Sequence, residues 1–502
     1  MRLAFRPLRL IVAWTGSLSA AAACSVFDPS LVPDSPGDDD GGGAMCEPTD
    51  ELCNGLDDDC DDEVDEDFDL AGDADNCGAC GRACSFGNAT GQCAEGVCVN
   101  ACESGFQDCN LDDADGCEAD LASRTTCGGC DLTCPFACSG ADCVTGATVS
   151  AGRTWTCLGL SSGGARCWGS NATGQLGTGD TLATPVPREV ASLSDALQLR
   201  TGFGHSCALR GGRVASCWGQ NDRGQVGDGT TAPRTAPVPV VLGGVDDIAV
   251  GFAHTCARSG ARLHCWGFND AGQLGLGDMT HRPLPTLVPV KDTGDVSDLA
   301  IGLSHTCAVR TSGEVICFGY NDQGQTGRPS LGQGGTNQVL APEVVPAIAD
   351  AVQVSLGHAH SCALTSGGGV RCWGWNGSGQ LGNGGFMSSP DPVDVIDDTG
   401  VPLVGVDRVI AGATRTCALA GDQVYCWGDN TDGALGADEG SPSHPRALRV
   451  TAGADAILDV AVGEYHTCFL GALGVRCVGT NQMGQLGDGT TAASRTGVDV
   501  RL

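Results

Sequence analysis

One eleven-residue phrase recurs seven times after residue 145, and no other feature restricts the fold of this chain so tightly. It reads CWGSNATGQLG at 167–177, CWGQNDRGQVG at 217–227, CWGFNDAGQLG at 265–275 and CFGYNDQGQTG at 317–327. It returns as CWGWNGSGQLG at 372–382, CWGDNTDGALG at 426–436 and CVGTNQMGQLG at 477–487. A second cysteine stands nine or ten residues before each copy, usually within Gly-x-x-His-(Ser/Thr)-Cys. These cysteines, 157, 207, 256, 307, 362, 417 and 468, are 49 to 55 residues apart. A period near 50 with glycine and aromatic punctuation marks an array of β-sheet blades. The expected fold is all-β, a seven-bladed β-propeller over 145–502.

Each repeat reads as strand, hairpin, strand, Gly-rich turn and a Pro-rich return such as 184–190. The segment Cys256–Cys265 folds about Gly260-Ala261 as a two-residue hairpin, which sets the two cysteines opposite each other and within disulfide reach. Where the gap is ten, one extra turn residue keeps the pairing. The expected bridges are therefore Cys157–Cys167, Cys207–Cys217, Cys256–Cys265, Cys307–Cys317, Cys362–Cys372, Cys417–Cys426 and Cys468–Cys477. The Trp after the second cysteine (168, 218, 266, 373, 427) is expected between blades. Asn171 and its equivalents are placed to bond turn backbone. The strand at 145–152 and the terminal 496–502 are expected to complete one blade between them, removing the open edge.

The charge is very uneven. Of the formal net charge of −34, most lies in residues 24–144, which carry 30 Asp and Glu against Arg82 and Arg124 alone. Phosphate binding needs a basic stripe, so nucleic acid is excluded as a partner. Residues 1–23 read as a signal peptide: Arg2, Arg6 and Arg9, an apolar run over 10–18, then small residues before Cys24. Ala21-Ala22-Ala23-Cys24 resembles a bacterial lipobox with Cys24 as the lipidated residue, which implies an anchor in the outer membrane of a Gram-negative-type cell. Cysteine arithmetic agrees, because the 31 cysteines leave Cys24 over once the two repeat systems are paired. Residues 24–45, rich in Pro, Gly and Asp, form a disordered tether.

A second repeat occupies 46–144. Cysteines 46, 53, 60, 77, 80, 84, 93 and 98 are echoed by 102, 109, 117, 127, 130, 134, 138 and 143. These define cysteine-rich modules at 46–100 and 101–144, each too small for a sizeable core and stapled by disulfides. Cys77-x2-Cys80 and Cys127-x2-Cys130 could also be zinc half-sites. An exported context, and no histidine before 205, favour disulfides. Within the first module, Asp57, Asp59, Asp61 and Asp65 match the alternation of an oxygen-ligand calcium loop, without its Gly at the sixth position or its Glu at the twelfth. The run is similar to the metal-binding motif of bacterial surface proteins of the copper-associated MopE type. Hard carboxylates favour calcium over copper. A solvated acidic loop is the alternative. Asp112, Asp113 and Asp115 form a weaker second copy.

Gly-x-x-His-(Ser/Thr) followed by Trp-Gly-x-Asn-x-x-Gly-Gln-Leu-Gly resembles the regulator of chromosome condensation repeat. The resemblance implies a seven-bladed propeller. The family's eponymous member exchanges nucleotide on a small GTPase through an inserted wedge, and no insertion here maps to it. A secreted bacterial relative covers β-lactamase active sites with one propeller face, which implies protein binding by loops. Blade 4 departs from the pattern at Phe318, Thr326 and Arg328-Pro329. Longer connections at 328–341 and 388–403 are expected to form one variable binding edge.

Other chemistry is sparse. His205, His254, His305, His360 and His466 share one repeat position, filled by Trp155 and Arg415 in blades 1 and 6. Equivalent positions on a ring cannot converge on one ion, so a structural role is expected. Gly159-Leu-Ser161-Ser-Gly163 matches a nucleophile-elbow pattern but falls on a hairpin tip. The reading is a non-enzymatic, exported, lipid-anchored platform that binds a protein or glycan, on a calcium-stabilised stalk. The alternatives are a hydrolase or lyase acting from the central pocket, or an architectural envelope component. An axial cluster of Asp, His and Arg would favour the enzyme.

Overall fold

The computed structural model describes residues 53, 68–109, 117, 119–120, 137–139, 142–289, 296–330, 337–437, 440–451 and 456–502. Cys24 and the acidic residues Asp57, Asp59, Asp61, Asp65, Asp112, Asp113 and Asp115 lie outside them. All regular structure among the described residues is β, and no helix there is long and apolar enough to cross a membrane.

From 146 onward the chain forms seven antiparallel four-stranded sheets, the seven-bladed propeller. In blade 2 the strands are Ala196–Thr201, His205–Arg210, Val214–Gly219 and Arg234–Pro239. The first strand of each blade lines the axis. The fourth forms the rim, where prolines such as Pro237 and Pro239 blunt an edge that could recruit another strand. Each cysteine pair lies in direct register on the second and third strands, as in Cys207↔Cys217 and Cys256↔Cys265. The bridges close there with Cα–Cα distances of 4.1 Å in all seven blades.

The expected closure by a shared blade does not occur. Blade 1 is built wholly from 146–189 and blade 7 wholly from 457–499. The repeat begins at the axial strand rather than at the cysteine hairpin, so each Pro-rich return completes its own blade and no strand is left to exchange. The ring closes instead by side-chain packing of blade 7 on blade 1. Trp168 of blade 1 is buried against Leu470, Val475 and Leu486 of blade 7.

The same packing recurs around the ring. Trp218 of blade 2 packs on the Cys157–Cys167 bridge and Leu176 of blade 1. The core is thus a set of layers between blades, each holding the cystine of one blade and, in five of the seven, the indole of the next, with Phe318 replacing it in blade 4 and Val478 in blade 7. The last glycine of the phrase lets that indole approach: a Cβ on Gly177 would lie 2.6 Å from Trp218 Nε1. Asn171 fixes the turn from within, its Oδ1 accepting from Leu176 N and its Nδ2 donating to the Leu182 carbonyl.

Antiparallel pairing assigns every loop to a face. Turns between first and second strands share one face with the long loops between third and fourth strands. The cysteine hairpin tips and the connections between blades share the other. The expected single variable edge is therefore split. The insertion after blade 4's third strand, of which 331–336 lie outside the described residues, opens on the first face. The connection after Ser389–Asp394 opens on the second.

In the cysteine-rich region, Ala89–Ala94 and Val97–Cys102 form a hairpin. Cys93 and Cys98 are opposed in it yet bond elsewhere: the bridges are Cys77–Cys93, Cys84–Cys98, Cys53–Cys80 and Cys102–Cys117. Cys77, Cys84 and Cys98 sit close together, but each is oxidised in one of these bridges and offers no thiolate to a metal.

Candidate functional site

The five repeat-position histidines are fully buried between blades. His205 Nε2 lies 2.7 Å from Thr255 Oγ1 of the next blade, and that hydroxyl donates to the Gln225 carbonyl at 2.8 Å. The pattern repeats for His254–Thr306, His305–Ser361, His360–Thr416 and His466–Thr156. Since the hydroxyl proton is committed to the carbonyl, Nε2 must carry the ring hydrogen and Nδ1 is left bare. Burial pushes the pKa of each down to about 3, so the rings are neutral. His305–Ser361 has the distance of a nucleophile–base pair, but both residues are inaccessible and the serine proton points at Gln325 O. Trp155 and Arg415 span the same seams in blades 1 and 6, through Ser206 Oγ and the Gly463 and Glu464 carbonyls. Ser161 sits on its hairpin tip, exchanging hydrogen bonds with Thr145. Neither sequence candidate for chemistry forms an active site.

The axial channel has two unlike mouths. On the hairpin-tip face it widens to a cavity of about 410 Å³, ringed by Gln198, Arg200, Asp247, Asp298, Gln353 and Arg408, with Asp459 buried behind them. This ring contains no histidine. Several of its members serve the exposed backbone edge of the next blade's first strand. Asp298 accepts from Val354 N at 2.7 Å, Gln353 from Val409 N at 3.0 Å and Asp459 from Val149 N at 3.0 Å, while Arg408 pairs with Asp459.

On the other face the channel is closed by seven glycines, the first residue of each Gly-x-x-His or, in blades 1 and 6, of Gly-x-x-Trp155 and Gly-x-x-Arg415. A Cβ on Gly202 would lie 2.2 Å from the Gly251 carbonyl oxygen, on Gly357 2.3 Å from that of Gly412, and on Gly463 2.7 Å from that of Gly152. Beyond this iris lies a shallow cup of about 130 Å³ lined by Arg153, Phe203, Phe252, Leu303, His358 and Glu464. Phe203 and Phe252 pack with centroids 4.3 Å apart, Arg153 stacks 4.3 Å over Phe203, and it pairs with Glu464 at 3.2 Å. Desolvation holds His358 below the ordinary imidazole range. Outside the cup stand Phe268, Tyr320 and Trp375, each immediately before the conserved Asn, with Phe386 and Tyr465. Among described propeller aromatics that are not buried, only Tyr425 lies off this face.

Sequence reasoning missed this surface. Its signal lies in the variable letters of fixed phrases, the residue after Gly in Gly-x-x-His and the residue before Asn in Trp-Gly-x-Asn.

A profile of the RCC1-like domain matches residues 133–405, and one of the regulator of chromosome condensation (RCC1) repeat matches 422–470. The chain belongs to the RCC1-like domain family. It is 33% identical over 217 residues to the human E3 ubiquitin-protein ligase HERC2, covering 42% of this chain but 4% of that protein. It is 35% identical over 160 residues to the Arabidopsis thaliana ultraviolet-B receptor UVR8, covering 30% of this chain and 34% of the receptor. The chain thus spans only a small part of the ligase and about a third of the receptor, and the shared part lies in the propeller repeats. Among solved structures, yeast RCC1 (Prp20) bound to Kap60 superposes with a TM-score of 0.59 at 19% identity, over 67% of this chain and 83% of that one. Human WBSCR16 gives 0.57 at 23% identity, over 65% and 87%. These likenesses confirm the fold.

Proposed function

We propose that this is an exported surface protein, anchored by lipid at Cys24, whose propeller binds a partner protein through the glycine-iris face. The observation that carries the reading is the gathering of half-buried aromatics on that face around a closed axial cup. Amphipathic rings are enriched in recognition surfaces because they bury area at low entropic cost. Asp222, Asp270 and Asp322 between them favour a partner with a basic patch. The same aromatic and carboxylate pairing, as in Tyr320 with Asp322, suits a glycan, the second reading.

Connectivity supports the orientation. The chain leaves the cysteine-rich region at Val144 and enters blade 1's axial strand from the hairpin-tip side. The stalk and its anchor thus attach opposite the aromatic face, which points away from the membrane. In the stalk, Asp57, Asp59, Asp61 and Asp65 hold calcium. Catalysis at the axis is disfavoured because the ring lacks histidine and its carboxylates largely satisfy backbone amides.

The test uses the tagged full chain on its own cells. Cys24→Ser should release the protein from the membrane fraction. Phe252→Ala with Trp375→Ala should lose the co-purifying partner, whereas Leu473→Ala, on the hairpin-tip face, should retain it. Equal retention by both variants would overturn the reading. Retention of glycans by the purified wild type, lost in the same double variant, would select the glycan.

A further inference from the structure

The seam that satisfies the axial strands is incomplete on one side. Blades 4, 5 and 7 send Asp298, Gln353 and Asp459 to the next blade's backbone. Blades 2 and 3 place Gln198 and Asp247 at the same level without such a contact, and Arg200 follows two residues deeper on blade 2's strand. Arg200 donates only to the Leu199 carbonyl, at 3.3 Å, and Asp247 accepts from its own neighbour Ile248 N. Among the described residues neither forms an ion pair, and Asp298 forms none either, although Arg408 and Asp459 nearby are joined. Gln198 Oε1 is buried with no partner. One guanidinium and two carboxylates therefore face one cavity, close enough to feel each other's charge but joined by no ion pair among the described residues.

The cavity's volume, about 410 Å³, is in the range that holds small ligands. Its floor is apolar, formed by Val250, Ile301 and Leu356 above the glycine iris. These features ask for an ammonium group at Asp247 and Asp298, a carboxylate at Arg200, and a short aliphatic body on the floor. We infer that the hairpin-tip mouth of the channel is a binding site for a small aliphatic zwitterion, of the size and chemistry of a free branched-chain amino acid. The site is independent of the aromatic face and survives if that face binds nothing.

Isothermal titration of the full wild-type chain with L-leucine, 3-methylbutylamine and 4-methylpentanoate tests it. The amine lacks the carboxylate, and the acid lacks the ammonium. Leucine should bind at least tenfold more tightly than either. Asp298→Asn keeps an acceptor for Val354 N while removing the charge, and Arg200→Gln removes the guanidinium. Each should weaken leucine binding at least tenfold in protein whose thermal melt is intact. The wild-type comparison of the three compounds decides the matter should either variant fail to fold. No heat from leucine up to 10 mM, or equal binding of leucine and either single-headed compound, would overturn the assignment.

Discussion

His466 Nε2 and Thr156 Oγ1 lie 2.7 Å apart although 310 residues separate them. The contact joins the last blade to the first with the geometry that joins His254 to Thr306 inside the ring. The Gln485 carbonyl also accepts from both the Thr156 hydroxyl and the Trp168 indole, each at 2.9 Å. Closure is therefore one more copy of an internal seam, and it needs no exchanged strand.

Removing one member of a seam should cost more than one hydrogen bond. His254→Ala opens a cavity and strips the Thr306 hydroxyl of its donor, with an expected loss of about 2–4 kcal/mol in chemical unfolding. Thr306→Val leaves Gln273 O and the His254 ring without their partner and should cost about 1–3 kcal/mol. The double variant should fall short of the sum, because the two residues share one bond. Full additivity would place the histidine outside the network.

Acid should loosen the ring before it protonates most carboxylates. Five histidines titrate near 6.5 when unfolded and near 3 when folded, so the unfolded state binds more protons as pH falls below about 6.5. Each withdraws about 1.4 kcal/mol of stability per pH unit between those values. Asp298 works the other way: burial raises its folded pKa to about 7, so its contribution is present below 3.8 and lost as pH rises through 7. Burial raises Asp247 in the same direction, but five histidines outweigh the two carboxylates, so the melting temperature should drop steadily from pH 6.5 to 4. A flat profile would contradict the buried neutral rings.

The glycine iris has no room for a methyl group. Gly202→Ala sets a Cβ 2.2 Å from a backbone oxygen that cannot turn aside, so the expected loss is several kcal/mol. Gly474→Ala, where nothing lies within 4 Å, should shift stability by no more than about 0.5 kcal/mol. Thermal melts of the two variants make the comparison.

Much of this architecture was legible from the repeat alone. Period gave the blade count, and spacing set each cysteine opposite its partner, because a hairpin admits few registers. The recurrent Trp and the invariant Asn declared their packing roles for the same reason. The blade phase was not legible, since a cyclic repeat has no marked start and the Pro-rich return suits either neighbouring sheet. The two long connections looked like one edge because sequence does not say on which face a loop opens; strand direction does. The aromatic face escaped notice because Phe203, Phe252, Tyr320 and Trp375 occupy variable positions of separate repeats, and only ring closure brings them together.

The platform claim is tested most directly by photo-crosslinking on intact cells, with the reactive residue placed at position 252, at 375, or at 473 on the opposite face. The account predicts one partner adduct of the same mass from 252 and 375, and none from 473. Adducts from 473 alone, or equally from all three positions, would contradict it.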